Sequence, residues 1–169
     1  RERHIASETE CTSDLAAEAA IRALSMTNLR VDNIDLIIVA TTTPDRIAPS
    51  TACIVQEKIG AFNAAAFEMN AVCSGFLYAS TVASQFIASG MYDHVLVIGA
   101  DTFSKITDWE RRDCVFFGDG AGAAIFSHTS DKAGFISANL HADGRGKMAW
   151  TVPAGGSERP ASQATIDSG

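Results

Sequence analysis

Cys73 is the residue whose type and surroundings could carry covalent chemistry. Ala64 to Met69, a short and mostly apolar run, precedes it and reads as a buried strand. Phe76, Val82, Ala83, Phe86 and Ile87 follow at helical spacing, and Gly90 suits the end of that helix. The cysteine therefore falls where a strand turns into an apolar helix. At such a junction the free backbone N–H groups and the helix dipole favour a thiolate over a thiol. The same N–H groups can hold a developing oxyanion. Gly75 leaves room for a substrate to approach the backbone. The placement also suits plain packing, because free cysteine is among the most buried residue types. Placement alone leaves both readings open.

Arg111 and Arg112 are the next candidates. They follow Trp109 in the charged stretch Asp108 to Asp113. Paired arginines suit phosphate groups through bidentate, permanently charged contacts, and a solvated charged loop is the alternative. Gly118, Gly120 and Gly122 invite a phosphate-loop reading, but the spacing is G-x-G-x-G, and Ala123 to Phe126 looks like strand rather than helix. Glycines that let the backbone pass close beneath a site, or pack against a neighbouring strand, are the better reading. Cysteine nucleophiles commonly work with a histidine. Of the four here, His94 opens a strand, His128 ends one, and His141 precedes the turn signal Asp143-Gly144; His4 lies in the charged opening run. The Cys and His residues have no compact ligand spacing, so no metal is expected.

The elements that must position these residues alternate. Thr12-Ser13-Asp14 offers a helix start, with Leu15, Ala16, Ala19, Ala20, Ala23 and Leu24 on one face. After the polar connection 28–33, Ile34 to Ala40 is a continuous aliphatic run, as in a strand covered on both faces. The loop from Thr41 to Pro49 contains Pro44 and Pro49, which bars helix throughout. Ser50 caps a helix carrying Ala52, Cys53, Val55 and Ile59, which Gly60 ends. Beyond the Cys73 junction, His94 to Ala100 is another buried strand. Cys114 to Phe126 and Phe135 to Leu140 read as two further strands, and 144–169 as an extended connection. Helices alternating with buried strands predict an α/β layer with a mixed, mainly parallel sheet.

With 169 residues, 47% of them hydrophobic and 20% charged, the chain can bury a core of its own. A net charge of −7 argues against a broad nucleic-acid surface. No apolar run approaches a membrane span, and no signal peptide opens the sequence. Four widely spaced cysteines fit reduced thiols in a cytoplasm.

The segment Ala71 to Ala79, AVCSGFLYA, resembles the active-site segment of beta-ketoacyl-acyl-carrier-protein synthase III, a family of thiolase-fold condensing enzymes. RERHIA at 1–6, LIIVATTTPD at 36–45, PSTAC at 49–53, HVLVIGAD at 94–101, FGDGAGAA at 117–124 and LHADG at 140–144 extend the resemblance over nearly the whole chain. It implies a thiolase-like fold of two similar halves. This chain, 1–169, is expected to be one βαβαβ-type N-terminal half, with the first strand and the C-terminal half absent. It further implies that Cys73 takes an acyl group from acyl-coenzyme A, and that malonyl-acyl carrier protein then condenses with it to begin fatty acid biosynthesis. No cofactor is implied. The family's triad is Cys-His-Asn, and no histidine or asparagine here occupies the other two motifs.

A loop that often begins Asp-Trp carries an arginine at the coenzyme A entrance in the family. Arg112 matches it best, but this loop is one residue shorter, so Arg111 also remains a candidate, with Trp109 beside them. The position matching Ala48 often bears a bulky side chain that reaches across a homodimer to close the partner's acyl pocket. Two alternatives stand beside this reading. One is a related acyltransferase or starter enzyme of secondary metabolism; the other is a non-catalytic dimer partner of the same fold.

Overall fold

The computed structural model describes residues 2–131 and 134–167, so Arg1 of the RERHIA segment and the last two residues of the 144–169 stretch lie outside the described residues. The chain divides into two units, Arg1–Ala138 and Asn139–Gly169. The first is built on four strands: β1 (Leu36–Ala40), β2 (Ala65–Met69), β3 (His94–Thr102) and β4 (Asp119–Ser127). They lie in the order β2-β1-β3-β4. β1 runs parallel to both β2 and β3, whereas β4 is antiparallel to β3.

Helix α1 (Thr12–Ser25) precedes β1, α2 (Thr51–Ile59) joins β1 to β2, and α3 (Gly75–Ala88) joins β2 to β3. These two crossovers traverse the sheet in opposite directions, so their usual right-handedness places their helices on opposite faces. The side chains agree. Ile37, Val39, Leu96 and Ile98 pack with Ala16 and Ala20 of α1 and Ala52 and Val55 of α2. Their neighbours Leu36, Ile38, Val95 and Val97 pack on the other face with Ala79 and Ala83 of α3. Period-two alternation thus feeds two apolar layers, which is why both strands are continuous hydrophobic runs.

Helix ends follow local chemistry. The Ser50 hydroxyl accepts the Cys53 N–H at 3.3 Å, and Gly60 closes α2 in the left-handed region at φ 74°. The cap of α1 is Cys11 rather than Thr12 to Asp14; its N–H donates to Asp14 Oδ2 at 2.8 Å. Thr12 is instead turned inward, where its hydroxyl meets Thr43 and Thr102.

Three expectations are corrected. β2 is an edge strand with no fully buried residue, because only β1 flanks it. The run from Cys114 does not continue one strand: Arg112–Phe116 is a 3-10 turn with Phe116 exposed, and β4 begins at Asp119. Residues 135–140 form no strand, since β4 already ends the sheet. In the second unit, Gly144–Gly146 is a 3-10 turn and Gln163–Asp167 a short helix. Among the described residues no helix is long and apolar enough to cross a membrane.

Asp119 stitches the opening segment to the sheet. Its carboxylate accepts the Ala6 N–H at 2.7 Å and the Ser104 N–H and hydroxyl at 2.8 and 2.5 Å. Burial opposes its ionisation, but these hydrogen bonds prevail and hold its carboxyl below the ordinary value. A carboxylate depressed by folding adds stability above its unfolded-state pKa and loses it as pH falls through the folded value. Resistance to urea unfolding should therefore weaken as pH drops below the usual carboxylate range. Asp119→Asn should be less stable at neutral pH and show a flatter acid limb; parallel acid limbs for the two proteins would contradict this role.

Candidate active site

Because β1, β2 and β3 are parallel, their carboxyl ends share one edge of the sheet, and β4 starts beside Thr102 at that edge. Open α/β sheets form ligand crevices at this edge. Here a cleft of about 360 Å³ lies there, lined by Ala40, Val72, Cys73, Phe76, residues 99–101, Phe103, Gly118 and residues 120–122. The glycine-rich segment therefore forms one wall of the cleft. A Cβ built on Gly120 or Gly122 would meet nothing within 4 Å, so these residues leave the space open.

Cys73 is exposed on this cleft. It is the centre of a 3-10 turn, Val72–Ser74, that leads directly into α3. Ser74 gives α3 no side-chain cap, and the Gly75 N–H donates to the Val72 carbonyl. Gly75 packs closely: a Cβ there would lie 3.1 Å from the Ala40 Cβ, so a larger residue would need Ala40 to give way. Val72 adopts φ 48°, a left-handed conformation that costs a β-branched residue energy. Such strain gathers at functional sites.

A polar lattice underlies the turn, and sequence reasoning missed it. Asp101 Oδ1 accepts the Thr42 N–H at 2.8 Å, the Thr43 N–H at 3.1 Å, and the hydroxyls of Thr43 and Thr41 at 3.0 and 3.2 Å. Asn70 Oδ1 accepts the Thr42 hydroxyl at 3.4 Å and the Val72 N–H at 3.2 Å. Three successive threonines, an aspartate ending a strand and an asparagine before the cysteine were the available signals.

The arginine loop leaves the cleft wall at Phe103 and returns at Gly118, with Phe103 stacked on Phe117 at 5.2 Å between ring centroids. Arg3 holds it down. Its guanidinium donates to the carbonyls of Cys114 and Val115 at 3.1 and 3.4 Å and sits 5.3 Å from the centre of the Trp109 ring. Trp109 also donates to the Ser104 carbonyl at 3.3 Å. Arg111 forms a bidentate pair with Asp113, at 3.1 and 3.0 Å, which holds the Asp113 carboxyl below its ordinary value. Arg112 is exposed and takes part in no ion pair among the described residues. None of Trp109, Arg111 and Arg112 lines the cleft around Cys73.

Ala48 lies apart from the cleft as well, exposed on the loop before α2. No histidine lines the cleft: His94 bonds Ser127 at 2.8 Å, and His128 is exposed at the end of β4. Among the described residues no group of three or more His, Cys, Asp or Glu could hold a metal ion.

Comparison with known proteins gives the same direction. Residues 67–144 match the family model of 3-oxoacyl-[acyl-carrier-protein] synthase III. The chain is 52% identical over 168 residues to the beta-ketoacyl-[acyl-carrier-protein] synthase III of Caldanaerobacter subterraneus subsp. tengcongensis, covering 99% of this chain and 51% of that protein. Among solved structures, a 3-oxoacyl-(acyl-carrier-protein) synthase III superposes with a TM-score of 0.89 at 33% identity, over 96% of this chain and 49% of the other. The synthase III of Thermus thermophilus gives 0.80 at 41% identity, over 85% and 45%. The fold is thiolase-like, and the chain spans about half the length of the curated relatives it matches. Through motif, fold and sequence alike, it belongs to the beta-ketoacyl-acyl-carrier-protein synthase III family.

Proposed function

We propose that the full-length protein is a condensing enzyme that starts fatty acid biosynthesis, with Cys73 as its acyl carrier. The observation that carries this reading is the exposed thiol on a strained turn, at an uncapped helix start, facing a cleft. The Cys73 thiolate attacks the thioester carbonyl of acyl-coenzyme A. Backbone N–H groups at the start of α3 stabilise the tetrahedral oxyanion, and the coenzyme A thiolate leaves. Malonyl-acyl carrier protein then loses carbon dioxide, and the resulting enolate carbon attacks the acyl-cysteine carbonyl and releases the Cys73 thiolate. The family's His and Asn would stabilise that enolate, and no residue of this cleft takes their place. Four free thiols suit a cytoplasmic setting. Incubation of the full-length protein with labelled acyl-coenzyme A should leave one acyl group on Cys73, and Cys73→Ser should abolish it without lowering the melting temperature. Label retained by Cys73→Ser would refute the assignment.

The arginine loop supplies the phosphate contact in this reading. Arg111 is occupied by Asp113, so Arg112 is the residue assigned to coenzyme A, with Trp109 beside it. Arg112→Gln should raise KM for acyl-coenzyme A about tenfold or more, the scale of a lost charged hydrogen bond, with kcat little changed. Arg111→Gln should have a much smaller effect. The reverse order would reassign the contact.

We also propose a homodimer, in which the outer edge of β2 is covered and Ala48 faces the partner's acyl pocket. The single-sided pairing of β2 and the exposure of Ala48 support this. An alanine where relatives often carry a bulky residue leaves space for a few methylenes, each worth about 0.8 kcal/mol when buried. Butyryl- or octanoyl-coenzyme A should therefore exceed acetyl-coenzyme A in kcat/KM by roughly tenfold, and Ala48→Phe should reverse the preference. A monomer by light scattering, or acetyl preferred by the unsubstituted enzyme, would contradict this account of primer choice.

A further inference from the structure

We propose that Asn70 is a positioning residue for Cys73, holding the strained turn in the geometry that acylation needs. This rests on the reading of Cys73 as the acylated thiol. Val72 is the one non-glycine residue with positive φ among the described residues, and it immediately precedes the cysteine. A valine relaxes from φ 48° unless its surroundings prevent it. The group that prevents it is the Asn70 side chain, whose Oδ1 accepts the Val72 N–H at 3.2 Å.

Asn70 is itself anchored from outside the turn. The Thr42 hydroxyl donates to the same oxygen at 3.4 Å. Thr42 follows β1, and its N–H donates to Asp101 Oδ1, on β3, at 2.8 Å. The turn after β2 is thus braced against the ends of β1 and β3, the two buried strands. Removing the Asn70 amide leaves the Val72 N–H without its acceptor and lets Val72 return to negative φ. That rotates the next peptide plane and moves the Cys73 sulfur relative to the N–H groups of α3. Displacements on the order of 1 Å cost about a hundredfold in rate when reacting groups must be aligned. Glycine takes φ 48° without steric cost. The consequence is specific: the need for Asn70 should disappear when residue 72 is glycine.

The test uses the full-length protein and its Asn70→Ala, Val72→Gly and doubly substituted forms. Three readouts apply: the single-turnover rate of acylation by acyl-coenzyme A, the KM for that substrate, and amide hydrogen exchange over residues 70–76. Asn70→Ala should slow acylation about tenfold or more, leave KM within about twofold, and raise exchange in this segment while the melting temperature holds. The double variant should acylate within about threefold of Val72→Gly alone, a non-additivity that a merely stabilising side chain would not produce. Unchanged exchange in Asn70→Ala, an acylation rate within twofold of the unsubstituted enzyme, or additive losses in the double variant would overturn the proposal. If the unsubstituted protein is not acylated at Cys73 while exchange still responds to Asn70→Ala, the brace is real and the functional reading is what fails.

Discussion

Strands β1 and β3 lie side by side with almost every side chain buried, because helices cover both faces of the sheet. This double cover is the constraint on which the rest depends. A strand sealed on both faces has to satisfy its backbone groups within the sheet, and parallel pairing of β1 with β2 and β3 does so. Parallel strands in turn need crossover helices, one on each face. All three connections from parallel strands must then leave from the same edge. The loop after β1, the turn after β2 and the end of β3 converge there, although they are far apart in sequence.

That convergence concentrates polar groups at a single edge of an otherwise apolar layer. Buried threonines at 12, 43 and 102 bond one another, and Asp101 accepts the N–H groups of Thr42 and Thr43 and the hydroxyls of Thr41 and Thr43. No buried side-chain polar atom among the described residues lacks a partner. A fully satisfied network of this kind fixes loop geometry more firmly than apolar packing does. A strained residue can persist beside it only because the surroundings over-determine its conformation. The site is thus open beside Gly120 and Gly122, and braced where the thiol must be aimed.

Much of this was legible in the sequence, for reasons that differ by element. The runs ending at Ala40 and Ala100 announced buried strands because both faces demand apolar residues. Ser50 and Gly60 marked their helix because caps are local chemistry. Cys73 at a strand-to-helix turn was legible from the change in hydrophobic period. What escaped depends on contacts distant in sequence. β2 was expected to be buried, yet its exposure is set by strand order, which its own residues do not encode. Cys114 to Phe117 has strand-like composition but lies in and just after a turn whose Cys114 and Val115 carbonyls accept hydrogen bonds from Arg3, a residue over a hundred positions away. Asp101 and Asn70 were passed over because their partners lie 58 to 60 and 28 residues away in the chain.

The central claim is that Cys73, aimed by its strained turn into the cleft, accepts the acyl group. The most direct measurement is a crystal structure of the full-length protein after exposure to acyl-coenzyme A. The account predicts continuous density from the Cys73 Sγ into the space bordered by Ala40, Gly99 and Gly122, with the carbonyl oxygen directed at the first N–H groups of α3. Acyl density on any other side chain, or an unmodified Cys73 whose sulfur points away from the cleft, would contradict it.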